Sequence, residues 1–209
     1  MASKIKNIIF DLGGIFIKIN YQKTEDAFVQ LGIKNFNEFY KQDFVSSLFE
    51  NIEVGAITPQ QFYDGIRDIA KINLTNEQIE SAWNAMLGDF WVDRLHWLNT
   101  IKNQYNIFLF SNTNEIHYKC FMKMYDGLQL PNTFSSYFIK DYYSHTLGLR
   151  KPTTESYNTI LQEQNLVASE TLFIDDTLKN IEGAKSVGLQ TILLLSNINL
   201  VDEVDEFFK

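Results

Sequence analysis

Five short runs of the chain are mostly apolar rather than alternating with polar residues: 5–10, 107–110, 137–139, 172–174 and 191–195. Runs of this kind and length suit strands of a parallel sheet covered on both faces. Around the later runs, apolar residues recur at helical spacing over 94–103, 115–124, 153–164 and 178–187. Strand alternating with helix predicts an α/β protein with a doubly wound, Rossmann-like parallel sheet.

The first run breaks that rhythm. No second strand follows at the usual distance, and the intervening stretch reads as helix over 24–31, 37–48, 59–70 and 76–87. Thr58 before Pro59 has the chemistry of an N-cap followed by a first-turn proline. Thr75, with Gln78 three residues on, predicts a capping box. A helical block inserted directly after strand one reads as a cap domain over the sheet. The expected division is a core of residues 1–17 and 93–209 and a cap of 18–92, with hinges near 17–20 and 89–93. The cap's aromatic residues, among them Phe36, Phe39, Tyr40, Phe44, Phe62 and Trp83, fall at helical spacing and read mainly as its core.

Composition narrows the possibilities without deciding between them. With 209 residues, 45% hydrophobic and 21% charged, the chain suits a globular enzyme with one α/β core and a smaller insert. Its net charge of −8 disfavours a nucleic-acid backbone as partner, although one local cationic site is enough for a small phosphorylated molecule. The single cysteine, Cys120, rules out an intrachain disulfide and suits a reducing compartment. The opening residues lack the apolar region of a secretory signal, and no stretch reaches the roughly 18 apolar residues of a membrane span. A soluble, cytoplasmic protein is expected. The acidic stretch 202–206 reads as a solvated helix face.

Ligands of open parallel sheets bind beyond the carboxyl ends of the strands. The first strand ends in Asp11-Leu12-Gly13-Gly14, the second in Ser111-Asn112-Thr113-Asn114, and the fourth in Asp175-Asp176-Thr177, with Asn180 one turn later. Leu149-Arg150-Lys151-Pro152 follows the third, while the fifth ends in Ser196-Asn197. A carboxylate, a hydroxyl, an ammonium and a carboxylate pair thus reach one rim. Phosphoryl transfer needs that set. A carboxylate can attack phosphorus, but its charge repels a phosphate unless a divalent cation intervenes. Mg²⁺ takes oxygen ligands, which Asp11 and Asp176 can provide. A lysine and a hydroxyl can then hold the phosphoryl oxygens where charge gathers. Gly13 and Gly14 allow close approach to the backbone, and Ser111 precedes a helix whose free N–H groups favour an anion.

In order and over nearly its whole length, the chain resembles the haloacid dehalogenase superfamily. Phe10-Asp11-Leu12-Gly13-Gly14, Ser111-Asn112-Thr113, Lys151-Pro152 and Asp175-Asp176 look like its four motifs, spaced 100, 40 and 25 residues apart from Asp11 through Ser111 and Lys151 to Asp176. Ser-Asn-Thr-Asn, Gly-Leu-Arg-Lys-Pro and Asn-Ile-Glu-Gly-Ala are similar to its α-D-glucose-1-phosphate phosphatase-like members. The resemblance implies a Mg²⁺-dependent phosphatase of a small metabolite, a sugar phosphate, with Asp11 as nucleophile. It implies metal ligation by Asp11, the Gly13 carbonyl and Asp176, with Asp175 assisting, and phosphoryl binding by Ser111, Asn112 and Lys151.

One position departs from the pattern. Phosphatases of this superfamily usually carry an aspartate two residues after the nucleophile as general acid and base, and here that position is Gly13. The glucose-1-phosphate phosphatase-like members share this glycine. His96, His117 and His145 are too scattered to read as a metal set. His117 or His145 could replace the missing acid, although a core or surface histidine is the simpler expectation. The loop 53–58 between two cap helices is a candidate substrate-facing segment. Two other functions stay open: a haloacid dehalogenase in which Asp11 attacks carbon, and a phosphate-binding or interaction protein that has lost turnover.

Overall fold

The computed structural model describes residues 4–34, 36, 43–195 and 198–208. Its central sheet is parallel and five-stranded. In chain order the strands of the molecule are β1 (Asn7–Phe10), β2 (Ile17–Ile19), β3 (Leu87–Phe90), β4 (Asn106–Ser111), β5 (Lys140–Tyr143), β6 (Thr171–Asp175) and β7 (Gln190–Leu193). The sheet runs β5-β4-β1-β6-β7. β1 therefore lies in the middle, with β4 and β6 on either side, and the residues after these three strands share one rim. Alternate side chains pack on opposite faces. Ile8, Phe10, Leu109 and Ile174 join one apolar cluster, and Ile9, Phe108, Phe110 and Phe173 another. Burial on both faces is why these strands read as mostly apolar runs.

The strand expected at 137–139 forms later, at 140–143. Residues 134–137 make a 3-10 turn whose Phe134 and Tyr137 are buried, so the apolar run anchors a turn instead of pairing. Pairing begins at Lys140, opposite Phe108. As an edge strand, β5 retains polar residues that mask it from a search for apolar runs.

The helical insert comprises α1 (Tyr21–Gln30), α2 (Asp43–Glu53), α3 (Pro59–Ala70) and α4 (Asn76–Asn84). Both threonine caps form as expected, and Thr58 and Thr75 each close a capping box, with Gln61 and Gln78. The first part of the helix expected at 37–48 lies outside the described residues, as do Phe39, Tyr40 and the Ser196-Asn197 end of the fifth strand. The insert has its own apolar cluster, in which Phe28, Phe49, Phe62 and Trp83 meet. The helix expected at 76–87 ends at Asn84 because residues 87–90 form β3, which pairs antiparallel with β2. That ribbon falls where the hinges were expected, so a paired element rather than a loose linker joins insert and core.

Helices α5 (Val92–Ile101), α6 (Glu115–Gly127), α7 (Ser144–Leu147), α8 (Thr154–Glu163), α9 (Leu178–Ser186) and α10 (Leu200–Phe207) complete the description. No described helix is long and apolar enough to cross a membrane. On α5, Arg94 lies on the buried face with Leu98 and Ile101. Its guanidinium stacks on Trp91 with 4.1 Å to the ring centre and donates to the carbonyls of Ile15 (2.7 Å) and Gly14 (3.2 Å). It thereby fixes the loop that follows Asp11. Arg94→Ala leaves both carbonyls without that donor, and charged hydrogen bonds of this kind are each worth roughly 1.5–3 kcal/mol. We expect a loss of about 2–3 kcal/mol in urea unfolding together with weaker metal binding. An unchanged unfolding midpoint would show that the loop stands without Arg94.

Candidate active site

Each strand end at the rim delivers one part of a single site. Asp11 follows β1, and its backbone N–H donates to Ile174 O on the neighbouring β6 at 2.9 Å. Ser111 closes β4 and is buried. Lys151 extends from the loop after α7 and is only 1% exposed. Its Nζ donates to Asp11 Oδ1 and Asp175 Oδ2, both at 2.7 Å. A fully buried ammonium thus bridges two carboxylates. The main chain of Lys151 is held by Asn112, whose Nδ2 donates to Lys151 O and whose Oδ1 accepts from Lys151 N, both at 2.9 Å. Asn112 was expected to offer phosphate a backbone or an amide contact; its amide is committed to Lys151, which leaves the backbone.

The carboxylate pair divides its work. Asp175 is wholly buried, and both its oxygens are engaged: Oδ1 accepts from Thr177 N (2.8 Å) and Asn180 Nδ2 (3.1 Å), and Oδ2 from Lys151 and Asn180. Asp176 is exposed and lies over Gly14, which has φ +69°; a Cβ there would collide with its carboxylate. Glycine at 14 therefore provides both the left-handed turn and the space for Asp176.

One oxygen from each of Asp11, Asp175 and Asp176 lies within 4.8 Å of the others. Three carboxylates against one ammonium leave an excess of negative charge in a confined space. Burial pushes Asp11 up to about 7 despite Lys151, and Asp175 and Asp176 add to the rise. Burial likewise raises Asp176, with Asp175 next in effect. For Lys151 burial acts downward, but the two carboxylates outweigh it and hold the ammonium above its ordinary value. All-oxygen donors, a surplus of negative charge and a cradle without a Cβ suit a small hard cation. Asp11 and Asp176 have the oxygens to spare for it.

A cavity of about 320 Å³ opens above this rim and is lined by Asp11, Gly13, Ser111, Asn112, Lys151 and Asp176. Asp175 supports it from behind. The insert forms the other wall with Trp83, Met86 and Leu87, and with Glu53, the first residue of the loop expected to face substrate. Tyr21, 72% exposed, stands at the mouth. Arg150 faces Glu53 at 3.1 Å and Glu50 at 3.5 Å, bridging core and insert. Sequence reasoning passed over Arg150 and Tyr21 as site residues, whereas Trp83, expected mainly in the insert's core, lies both there and on the cavity wall. Arg150 is adjacent to Lys151, and that adjacency was the available signal.

The two histidines considered as substitute acids separate. His145 packs against Tyr118 and Tyr143 and does not line the cavity. His117 does line it, but burial lowers its pKa to about 3, so the ring is neutral at ordinary pH and is not a proton donor in imidazolium form.

A carboxylate–lysine–hydroxyl rim on a doubly wound parallel sheet, roofed by inserted helices, is the arrangement of a Rossmann-like hydrolase core with an insert. The family model of the haloacid dehalogenase-like hydrolases matches residues 5–188, and the chain belongs to that family. It is 29% identical over 190 residues to a D-ribitol-5-phosphate phosphatase of Bacteroides thetaiotaomicron, covering 90% of each chain. A sesquiterpene phosphatase of Aspergillus oryzae is 25% identical over 210 residues, with 95% of this chain and 94% of that one covered. Among solved structures, a HAD family enzyme of Bacteroides thetaiotaomicron in complex with magnesium and inorganic phosphate superimposes with a TM-score of 0.84 at 30% identity, covering 98% of this chain and all (100%) of that one.

Two measurements follow from the charge balance. Protons and Mg²⁺ compete for Asp11, whose pKa burial raises to about 7. Apparent Mg²⁺ affinity should hold above that pH and fall about tenfold per unit below it; a flat calorimetric titration series from pH 8 to pH 5.5 would contradict the assignment. Asp176→Asn should weaken Mg²⁺ far more than Asp175→Asn, whose main effect should be on stability through Lys151. Equal losses of Mg²⁺ affinity would place both carboxylates on the metal.

Proposed function

We propose that the protein is a Mg²⁺-dependent phosphatase acting on a small phosphorylated metabolite, a sugar or polyol phosphate, through an aspartyl-phosphate on Asp11. The observation that carries this reading is the buried Lys151 bridge. It holds Asp11 Oδ1 at 2.7 Å and leaves Oδ2 for attack, in a cavity that also contains Ser111 and Asp176. The names of both phosphatase relatives support the reaction, and the polyol phosphate in the first supports the substrate class.

Asp11, Asp176 and the Gly13 carbonyl would hold the Mg²⁺, with Asp175 behind them. When bound, the ion offsets the negative charge of the carboxylates and the phosphate. An Asp11 oxygen forms the new bond to phosphorus as the P–O bond to the ester oxygen breaks and that oxygen takes up a proton from water. Lys151 and Ser111 hold the phosphoryl oxygens throughout. Water then attacks phosphorus, releasing inorganic phosphate and restoring the carboxylate. A dehalogenase reading, with Asp11 attacking carbon, needs no metal and gives Asp176, the carboxylate outside the Lys151 bridge, no task. Release of phosphate from ribitol 5-phosphate, glucose 1-phosphate, glucose 6-phosphate and phenyl phosphate, with and without Mg²⁺, tests the proposal. Mg²⁺-independent or absent hydrolysis of all four would overturn it.

Two predictions are specific to this site. Asp11→Asn should abolish turnover with the circular dichroism spectrum unchanged, and full activity in that variant would exclude covalent catalysis. Because Gly13 supplies no acid, esters with weakly basic leaving groups should react fastest: phenyl phosphate, then glucose 1-phosphate, then primary alkyl phosphates. A Cβ at position 13 would lie 3.2 Å from Ile19 Cγ1, so an aspartate fits if that side chain yields slightly. Gly13→Asp should accordingly speed alkyl esters more than aryl esters, within the 10²–10⁴-fold range of general acid catalysis. Equal rates for alkyl and aryl esters in the native protein, with chemistry rate-limiting, would reveal another proton source.

A further inference from the structure

His117 is set at the junction of core and insert. It lies on α6 of the core, and its ring stacks face to face on Trp83 of the insert, with centroids 4.8 Å apart and planes at 18°. Stacking fixes the plane of the ring. Its Nδ1 is 2.9 Å from Oδ1 of Asn84, the last residue of α4. With the amide oxygen of Asn84 facing the ring, the contact is a hydrogen bond in the Nδ1–H tautomer. Nε2 is then left with its lone pair, and it makes no hydrogen bond among the described residues. The ring is buried apart from what it contributes to the cavity wall.

We propose that His117 is a specificity-determining residue: locked by Asn84 as the Nδ1–H tautomer, it offers Nε2 to the cavity as the acceptor for a substrate hydroxyl. This rests on the phosphatase reading and narrows it to hydroxyl-bearing esters. The lining also includes the apolar Ile17, Ile19, Met86 and Leu87. A buried acceptor set among such residues favours a ligand that can donate to it and disfavours one that leaves it unpaired. Asn84 belongs to the insert and His117 to the core, so the acceptor is oriented only when the two are together. Asn84 is thus a positioning residue that makes hydroxyl recognition depend on the insert being in place.

The test compares kcat/KM for ribitol 5-phosphate with that for phenyl phosphate, which has no hydroxyl to donate. His117→Phe preserves a ring for Trp83 and removes the acceptor. His117→Asn can retain a donor for Asn84 but does not reach the cavity, whereas His117→Gln places an amide near the position of Nε2. The ribitol-to-phenyl ratio should fall about tenfold or more in the Phe and Asn variants and by clearly less in the Gln variant. Asn84→Leu should lower the ratio in the same direction. A ratio unmoved by His117→Phe, or equal in the Gln and Asn variants, would overturn the proposal. Nitrogen-15 spectroscopy of the native protein decides independently of turnover. Nε2 should be unprotonated, and its resonance should shift on titration with ribitol 5-phosphate but not with phenyl phosphate. A proton on Nε2, or an equal response to both esters, would refute it even if neither ester were hydrolysed.

Discussion

The ammonium of Lys151 organises the centre of this protein. A lone buried cation is too costly to keep charged, and two buried carboxylates repel each other. Placed between Asp11 and Asp175 at 2.7 Å from each, Lys151 makes all three groups tolerable together. The three come from distant parts of the chain, and the sheet order sets β1 and β6 side by side beneath the ammonium. Asn112 at the end of β4 holds the Lys151 backbone from the other side. The same bridge that ties these segments together gives Asp11 a fixed orientation. What it leaves unsolved, the extra charge of Asp176, is a demand for a cation.

That demand explains the two glycines after Asp11. Any side chain at position 14 would collide with Asp176, so the carboxylate can stand over the loop only because the chain turns there through a left-handed glycine. The loop itself is pinned from below by Arg94, which takes the carbonyls of Gly14 and Ile15. The loop is thereby anchored to α5 of the core as well as to the insert it leads into.

The sheet and the rim were legible because both depend on local chemistry. Strands buried on two faces must be mostly apolar, and the rim residues follow them directly. The capping boxes at Thr58 and Thr75 were equally plain, since a cap acts within four residues. What escaped notice depends on long-range partners. β2 and β3 are short, amount to no periodic pattern, and exist through pairing across some seventy residues, Ile17 with Phe90. The edge strand β5 hid behind a more apolar turn. Arg94 entered only as the first residue of the helix expected at 94–103, although its register with Leu98 and Ile101 sets it on the buried face. The roles of Asn112 and His117 were beyond reach, because an amide or imidazole shows its task only through what it faces.

The insert is tied to the site by more than its hinge ribbon. Its apolar cluster includes Ile116 of the core helix α6, so part of its packing is available only in contact with the core. Gly55 presses against the His145 carbonyl so closely that a Cβ would overlap it, and Arg150 spans to Glu50 and Glu53. The Arg150 contacts are partly exposed and so of modest strength, on the order of 0–1 kcal/mol each. At the same junction, Trp83 and Asn84 of the insert add a ring stack and a 2.9 Å contact with His117 of the core. Lys151, Asp11 and Asp175 all lie on the core side of that junction, whereas Asn84, Trp83 and Glu53 lie on the insert. The charged centre is therefore held together within the core, and the insert supplies only part of the cavity wall above it.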